Sequence, residues 1–200
     1  MKIIKHRVNT IEELASVEPA YGVEIDLRNH NGELILAHDP FSADLVHFID
    51  WLKFYHHDMI VLNIKEEGLE TKILEVVSAL NVQNFFFLDQ SFPFLFKTLI
   101  SGESRTAIRF SDLESIDTVT RTLNMSVTKP KWLWIDSFSG EWSHLKELDK
   151  IKSLGLNVCL ASPELHGRNL DLELREIRKS ASARDIDSVC TKFPEKWLFV

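Results

Sequence analysis

Short apolar runs alternate with longer amphipathic segments along the whole chain of 200 residues. Such apolar runs are typical of buried strands, and apolar positions that repeat every three to four residues are typical of helices. The alternation predicts strand–helix units around a parallel sheet. The predicted strands are residues 2–6, 21–27, 58–64, 83–88, 105–110, 131–136, 155–161 and 187–192. The predicted helices are residues 10–17, 44–56, 67–80, 92–101, 113–123, 143–153 and 169–183.

Local turn and capping signals refine this order. Thr10 places a hydroxyl at the expected N-cap of the first helix, and two acids follow it in the first turn. Ser111 and Asp112 offer a similar start for the helix after the fifth strand. Between the second and third strands, Asn31-Gly32 predicts a tight turn because this dipeptide accepts positive φ angles. Residues 33–37 then form the second arm of a β-hairpin.

The chain has no repeat, low-complexity segment or Gly/Ser linker that would mark a domain boundary. No Gly-rich phosphate loop follows the first strand, which disfavours a doubly wound open sheet. We therefore expect one domain over residues 1–200, an α/β (β/α)₈ TIM barrel with an extra hairpin after the second strand. Eight units in 200 residues lie at the lower size limit of this fold.

Charge and composition narrow the class of partners. The formal net charge is −7, and nucleic acids and anionic membranes attract basic surfaces, so we expect neither as a partner. Cys159 and Cys190 lie in apolar strand-like runs, which favours buried free thiols and a reducing, cytoplasmic location. No apolar run reaches the ~20 residues of a membrane-spanning helix, and residues 1–7 lack the apolar core of a signal peptide.

The second predicted strand carries two carboxylates, Glu24 and Asp26. Side chains alternate along a strand, so both project to the same side, which near the carboxyl end of a barrel strand faces the mouth. Two unpartnered carboxylates repel each other, and a hard cation such as Mg²⁺ or Ca²⁺ accepts both. The alternative is a solvated pair on an exposed strand, which the apolar neighbours Val23, Ile25 and Leu27 disfavour.

Two histidines near strand ends, His6 and His38, are candidates for proton transfer. An unperturbed pKa near 6.5 lets one imidazole accept a proton and the other deliver one around neutral pH. Taken alone, each histidine is more often a surface or structural residue. Arg7, next to His6, adds a planar donor fork suited to phosphate.

Asn63 and Lys65 share one face of the third predicted strand. Asn63 can offer a carbonyl oxygen to a cation, and Lys65 can offer a point charge to a phosphate. Lys65 alone would be read as an ordinary solvated lysine. Its place at a strand end favours the phosphate-binding interpretation.

Three further polar residues are candidates for the barrel mouth. Asp136 ends the sixth strand, Arg109 lies near the end of the fifth, and Glu164 lies in the loop after the seventh. Arg109 can equally pair with Asp112, and Glu164 can equally cap a helix in a turn shaped by its proline and glycine. Both interpretations stay open for these residues.

The ordered set of motifs resembles the glycerophosphodiester phosphodiesterases, a family within the phosphatidylinositol-phospholipase-C-like phosphodiesterase superfamily. The family opens with His-Arg after its first strand and continues with a Glu-x-Asp strand, a strand ending in His-Asp and a strand with Glu-x-Lys. The chain has, in that order, His6-Arg7, Glu24-Ile25-Asp26, His38-Asp39 and Asn63-Ile64-Lys65. Two later segments resemble the family's fourth-strand ending and closing strand, Gln90-Ser91-Phe92 and residues 187–191 followed by Pro194.

This resemblance implies a TIM barrel and a metal-dependent phosphodiesterase. The implied substrate is a glycerophosphodiester, small or polymer-linked, which is hydrolysed to an alcohol and a phosphomonoester. The implied roles are acid/base catalysis by His6 and His38, ligation of Mg²⁺ or Ca²⁺ by Glu24, Asp26 and Asn63, and phosphate binding by Arg7 and Lys65.

Three departures from the family pattern leave alternatives open. Asn63 replaces the third carboxylate and removes a negative charge from the expected metal site, for which Asp136 is a candidate replacement. Val8 replaces the usual glycine, which makes the opening closer to that of sphingomyelinase-D-like enzymes, which form cyclic phosphates. The chain is short and lacks the insertion with which many members close over glycerol. A cyclising phosphodiester lyase and an inactive phosphate-binding barrel are the alternatives.

Overall fold

A computed structural model describes residues 1–42, 45–180 and 185–198. The strands in these residues are β1 (Lys2–Lys5), β2 (Gly22–His30), β3 (Glu33–Leu36), β4 (Val46–His47), β5 (Ile60–Ile64), β6 (Phe85–Leu88), β7 (Ala107–Phe110), β8 (Trp132–Ile135), β9 (Asn157–Ala161) and β10 (Ser188–Thr191). The α-helices there are α1 (Ile11–Ser16), α2 (Phe48–Leu52), α3 (Glu70–Ala79), α4 (Phe92–Ile100), α5 (Ile116–Met125), α6 (Leu148–Ser153), α7 (Leu170–Ser180) and α8 (Pro194–Trp197). Short 3₁₀ helices span Ser143–Glu147 and Pro163–His166.

The strands form a curled, predominantly parallel sheet in a mixed α/β architecture. The parallel strands follow the order β6-β5-β2-β1-β10-β9-β8-β7. Each predicted strand overlaps one of these parallel strands, and β2 runs three residues past its predicted end, so the predicted alternation is confirmed. We call the edge where these strands end the carboxyl edge.

The outermost strands of this order, β6 and β7, approach each other without forming a ladder. One parallel bridge pairs Phe87 with Thr106, and the Phe87 N–H donates to the Arg105 carbonyl at 2.8 Å. We call this junction the β6–β7 seam. The curled sheet with its seam agrees with the strand order of a TIM-like fold.

The segment after β2 differs in part from its prediction. Asn31 and Gly32 have positive φ angles of 51° and 85°, and β2 and β3 pair antiparallel across this turn. The predicted helix over 44–56 is wrong at its start, since Val46 and His47 pair with β3 as a short strand and the helix begins only at Phe48. The β3 edge thereby gains backbone partners; position 44 itself lies outside the described residues.

The expected helix start at Ser111-Asp112 is also wrong. The Ser111 hydroxyl accepts the N–H groups of Leu113 and Glu114, which closes a turn, and α5 begins after Ser115. The Asp112 carboxylate instead accepts two N–H groups from the loop that follows β8. Local side-chain bonds of this kind compete with helix capping.

The other helices lie close to their predicted positions. The segment predicted over 143–153 begins as a 3₁₀ helix, α7 ends at Ser180 with residues 181–183 outside the described part, and α8 was not predicted. Among the described residues, no helix combines the length and apolar character needed to cross a bilayer.

Three apolar layers fill the fold. One outer layer consists of buried apolar side chains from the sequence range 8–87. The other consists of Ile3 and buried apolar side chains from the range 95–197. The inner layer takes alternate strand positions, including Ile4, Val61, Phe86, Trp134, Cys159 and Cys190. Both cysteines are free, and burial raises the pKa of Cys159 to about 12. The sheet therefore buries both of its faces.

The N-terminus of α1 is held by a reciprocal cap. The Thr10 hydroxyl accepts the Glu13 N–H at 3.1 Å, and the Glu13 carboxylate accepts the Thr10 N–H at 3.0 Å. Thr10→Ala should therefore lower the free energy of unfolding by about 1 kcal/mol in urea titrations. Ser115→Ala is the matched control, because Ser115 precedes α5 without a side-chain cap bond. An equal loss in both variants would contradict the reciprocal cap.

Candidate active site at the carboxyl edge

The β2 strand turns its polar residues toward the interior of the sheet. Val23, Ile25 and Leu27 belong to an outer layer, so the alternate positions Glu24 and Asp26 face the inner one. In the parallel register, Glu24 pairs with Val61 and Asp26 with Asn63. Both carboxylates are 1% exposed. The strand therefore places two buried acids at the carboxyl edge, above the inner apolar layer.

Every oxygen of this carboxylate pair has a donor. Glu24 accepts the Asn63 side-chain amide at 2.8 Å and the Arg7 backbone N–H at 2.7 Å. Asp26 accepts the Asn9 side-chain amide at 2.8 Å, and the Lys65 ammonium lies 3.1 Å from its other oxygen. Neighbouring strand ends and the segment after β1 thus satisfy two acids that share one face.

The pair still carries excess negative charge. Burial and the charge of Asp26 raise the pKa of Glu24 to about 7. The Asn63 side-chain oxygen is buried without a hydrogen-bond partner, beside these acids. The electrostatics of Glu24, Asp26 and Asn63 therefore favour an additional electropositive partner.

His6 lies directly beside the pair. Its Nε2 is 3.8 Å from Glu24 Oε2. Burial and the neighbouring Arg7 guanidinium lower the pKa of His6 to about 3, so its ring is neutral at physiological pH. Arg7 itself has a left-handed φ of 55°, which lets its N–H reach Glu24 while its Nε lies 3.6 Å from Asp26. A strained backbone at this point is typical of functional sites.

His38 approaches the same edge from β3. The Ala37 N–H donates to the Asp26 carbonyl at 3.0 Å, and Arg28 donates twice to the His38 carbonyl. These bonds fix the backbone next to the acids. The imidazole itself is 40% exposed and bonds through Nδ1 to Asp39 at 2.8 Å. No described side chain of the carboxylate network contacts this ring.

A second polar cluster lies across the carboxyl edge. Arg109 forms ion pairs with Asp89 and with Asp136. Asp136 also accepts a hydrogen bond from Trp134 Nε1 at 2.8 Å and forms one with His166 Nε2 at 2.7 Å. Both oxygens of Asp136 are therefore engaged within this cluster. Lys65 lies 4.0 Å from Asp89, which joins the two clusters.

Glu164 is placed apart from both clusters. Its buried carboxylate accepts the Thr191 hydroxyl at 2.6 Å and the Lys192 N–H at 2.9 Å, and it also bonds Ser162. It therefore ties the segment after β9 to the end of β10. Trp197 adds to this junction by donating to the Ser162 hydroxyl at 3.1 Å.

Three residues of these networks were not assigned roles from the sequence. The Asn9 side chain donates a hydrogen bond to the Asp26 carboxylate and accepts one from the Asp26 backbone N–H. Asp89 accepts a hydrogen bond from Arg109, and His166 forms one with Asp136. Asn9 stands in the His-Arg-Val-Asn opening, and Asp89 directly follows a predicted strand. Strand-end position is therefore the signal that could have identified Asp89. Nothing in the sequence pairs His166 with Asp136.

Solved structures similar to this chain share its architecture over almost its full length. A protein from Galdieria sulphuraria, provisionally assigned as a glycerophosphodiester phosphodiesterase, superposes with a TM-score of 0.73 at 14% identity, covering 96% of this chain and 94% of the other. The glycerophosphodiester phosphodiesterase of Agrobacterium tumefaciens gives 0.65 at 15% identity, over 97% and 96%. A glycerophosphoryl diester phosphodiesterase of Parabacteroides distasonis gives 0.66 at 10% identity, over 96% and 83%.

This chain has the glycerophosphodiester phosphodiesterase fold. No protein-family model matches the chain, and no curated protein matches it in sequence. At identities of 10–15%, the glycerophosphodiester phosphodiesterase likeness establishes the fold, and activity has to be argued from the site.

The pKa of Glu24 leads to a test of the buried pair. In EDTA at pH 8, Glu24→Gln should raise the free energy of unfolding by about 1–3 kcal/mol. The pKa of Glu24 is raised from its ordinary 4.5 to about 7, so the folded state holds the proton more tightly than the unfolded state. Glu24 therefore costs stability as the pH rises through this interval, and the cost is complete above pH 7. The amide removes the buried charge, and rotation of the Asn63 side-chain amide lets the new NH2 group donate to the Asn63 oxygen.

Urea titrations from pH 5 to pH 8 measure this difference. The gain of Glu24→Gln should shrink toward pH 5, where Glu24 is protonated in the folded protein. Glu67→Gln, on an exposed loop residue, is the control and should change stability by less than about 0.5 kcal/mol. A gain that does not vary with pH would rule out the proposed cost of ionising Glu24.

Proposed function

We propose that the chain is a metal-dependent phosphodiesterase that hydrolyses a glycerophosphodiester to an alcohol and a phosphomonoester. The observation that carries this proposal is the convergence of His6, Glu24, Asp26, Asn63 and Lys65 in one cluster of hydrogen bonds and charge contacts at the carboxyl edge. Three separate strand ends supply these side chains. Active sites of barrel enzymes are assembled at this edge in the same way.

Glu24, Asp26 and Asn63 fit a hard divalent cation. Their donors are oxygens, which Mg²⁺ and Ca²⁺ prefer, and the buried Asn63 oxygen lacks a partner. The described residues contain no group of three His, Cys, Asp or Glu side chains suited to a metal, and the proposed third ligand is the amide oxygen of Asn63. When bound there, Mg²⁺ or Ca²⁺ would polarise the phosphoryl oxygens and offset their charge.

The two histidines divide the proton transfers. The low pKa of His6 keeps its ring neutral, as a proton acceptor must be before the reaction, and His6 is assigned the proton of the attacking water or hydroxyl. The His38 ring bonds through Nδ1 to Asp39, and this hydrogen bond lowers the pKa of Asp39 and orients the ring. His38 is assigned the delivery of a proton to the leaving alkoxide.

Arg7 and Lys65 hold the phosphate. The Arg7 Nε lies 3.6 Å from Asp26, and the Arg7 side chain is 44% exposed, so its guanidinium is accessible to a bidentate anion. Lys65 lies between Asp26 and Asp89, with its ammonium at 3.1 Å and 4.0 Å from them. The two cations thus flank the acids that would hold the metal.

We also propose that the chain works as one domain, with a closed barrel across the β6–β7 seam, and acts on water-soluble or polymer-linked diesters in the cytoplasm. The parallel bridge at Phe87 and Thr106 supports closure. The free buried thiols of Cys159 and Cys190 support a reducing compartment.

Turnover of bis(p-nitrophenyl) phosphate and glycerophosphodiesters tests the function directly. Protein stripped with EDTA should be inactive and should regain activity with Mg²⁺, Ca²⁺ or Mn²⁺. Phosphorus NMR of the products should show a phosphomonoester. A cyclic phosphate would identify a lyase instead, and no turnover with any metal would identify an inactive barrel.

Removal of either histidine should abolish proton transfer. We expect His6→Ala and His38→Ala each to lower kcat by at least about 100-fold, the usual contribution of a positioned acid or base. His56→Ala is the control, since His56 is exposed and its ring bonds only the Phe54 carbonyl. Near-normal turnover in one variant would exclude that histidine from the acid/base pair.

Restoring a carboxylate at position 63 should tighten metal binding. Calorimetry with Mg²⁺ or Ca²⁺ should show a Kd at least about tenfold lower for Asn63→Asp, because ligand charge tunes affinity. The variant should also unfold more easily in EDTA, since it adds a third buried negative charge. Asn157→Asp, at an exposed start of β9, is the control. Equal affinities in all three proteins would place the metal elsewhere.

A further inference from the structure

A pocket opens beside His6. It has a volume of about 280 Å³ and lies between α1 and the end of β10. Its lining residues include Lys5, His6, Arg7, Glu13 and Lys192. Because His6 and Arg7 belong to both this pocket and the proposed active site, a ligand at the carboxyl edge can extend into it. We call it the β1–β10 pocket.

Two lysines that line the β1–β10 pocket, Lys5 and Lys192, have no acidic partner among the described residues. Lys5 Nζ donates to the Lys192 carbonyl at 2.6 Å, and Lys192 Nζ lies 3.4 Å from the Glu164 carbonyl. Both acceptors are neutral backbone oxygens. In the part of the chain that the structure describes, neither lysine has a carboxylate oxygen within the 4.0 Å of an ion pair.

The remaining groups leave the pocket positive. Glu13 is its one acidic lining residue, and the Glu13 carboxylate already accepts the N–H groups of Asn9 and Thr10 in the cap of α1. Arg7 adds a third cation, whose Nε lies 3.6 Å from Asp26. Three cations therefore outweigh one engaged carboxylate here, although the chain as a whole has a net charge of −7.

The opposite side of the carboxyl edge has the reverse balance. A pocket of about 630 Å³ at the β6–β7 seam is lined by Asp89, Glu114 and Arg109, and Arg109 is paired with both Asp89 and Asp136. Acids predominate there. Charge is thus separated across the carboxyl edge, and unpartnered lysines occur on the side that His6 borders.

We propose that the β1–β10 pocket binds a second phosphate group, a phosphomonoester carried on the alcohol of the phosphodiester substrate. Lys5 and Lys192 supply the charges, and Arg7 lies between this phosphate and the scissile one. The proposal rests on the proposed phosphodiesterase function and adds its substrate class, a diester that bears a further dianion. Ammonium groups without carboxylate partners are suited to this role, because a bound phosphate replaces the missing counter-charge.

Two diesters measure the selectivity. Glycerophosphoglycerol and the same diester with a terminal phosphomonoester should differ at least tenfold in KM, with the phosphorylated diester lower. The double variant K5Q/K192Q should raise the KM of the phosphorylated diester at least about tenfold and leave its kcat within about twofold. Turnover of bis(p-nitrophenyl) phosphate should be unchanged, since that substrate has no second phosphate.

The double variant K150Q/K179Q is the matched control. Both of its lysines are exposed on the outer helices α6 and α7, so it makes the same change in net charge away from the carboxyl edge. An equal rise of KM in this control, or equal KM values for the two diesters in the unchanged protein, would overturn the proposal.

Binding of inorganic pyrophosphate in EDTA separates this proposal from the proposed function. Calorimetry should show an affinity that K5Q/K192Q weakens at least about tenfold and that the control leaves unchanged. Such binding without turnover of any diester would refute the phosphodiesterase and support the anion pocket. Turnover combined with equal pyrophosphate affinity in all three proteins would support the enzyme and refute the pocket.

Discussion

The carboxyl edge depends on the burial of two neighbouring carboxylates, Glu24 and Asp26, on one strand. Two buried charges of the same sign are costly unless donors and cations surround them. The chain meets this requirement with groups from three places: the turn after β1, the β5 strand and the lysine that follows it. The left-handed backbone at Arg7 also helps to stabilise the buried acids, because it directs the Arg7 N–H group at Glu24.

The burial of these two acids also explains why the negative charge of the site is not fully balanced. The Lys65 ammonium, the more distant Arg7 guanidinium and several neutral donors do not fully offset two buried carboxylates, and burial together with the charge of Asp26 raises the pKa of Glu24. An additional cation would lower the energy of this pair, and so would protonation. Charged side chains are also distributed unevenly along the carboxyl edge, with cations near β1 and β10 and acids near the β6–β7 seam.

The sequence predicts the parts of this structure that depend on local periodicity. The strands are recognisable because apolar runs fill two faces, and the place of Glu24 and Asp26 follows from alternation against Val23, Ile25 and Leu27. The partners of these acids are harder to predict. Asn9 reaches Asp26 across 17 positions, and His166 reaches Asp136 across 30, and neither spacing carries a periodic signal. The late start of α5 had a similar cause, because a serine that resembles an N-cap closes a turn instead.

The β6–β7 seam divides the chain into two halves of four parallel strands each. Each half has its own outer apolar layer, and the halves share the inner layer, the β1–β10 ladder and a single bridge. Breathing of the sheet is therefore easiest at the seam. All donors to Glu24 and Asp26 belong to the first half, so such an opening would part Lys65 and Asp89 from Arg109 and leave the acid pair intact. The proposed metal site would therefore keep its geometry even if β6 and β7 separated at the seam.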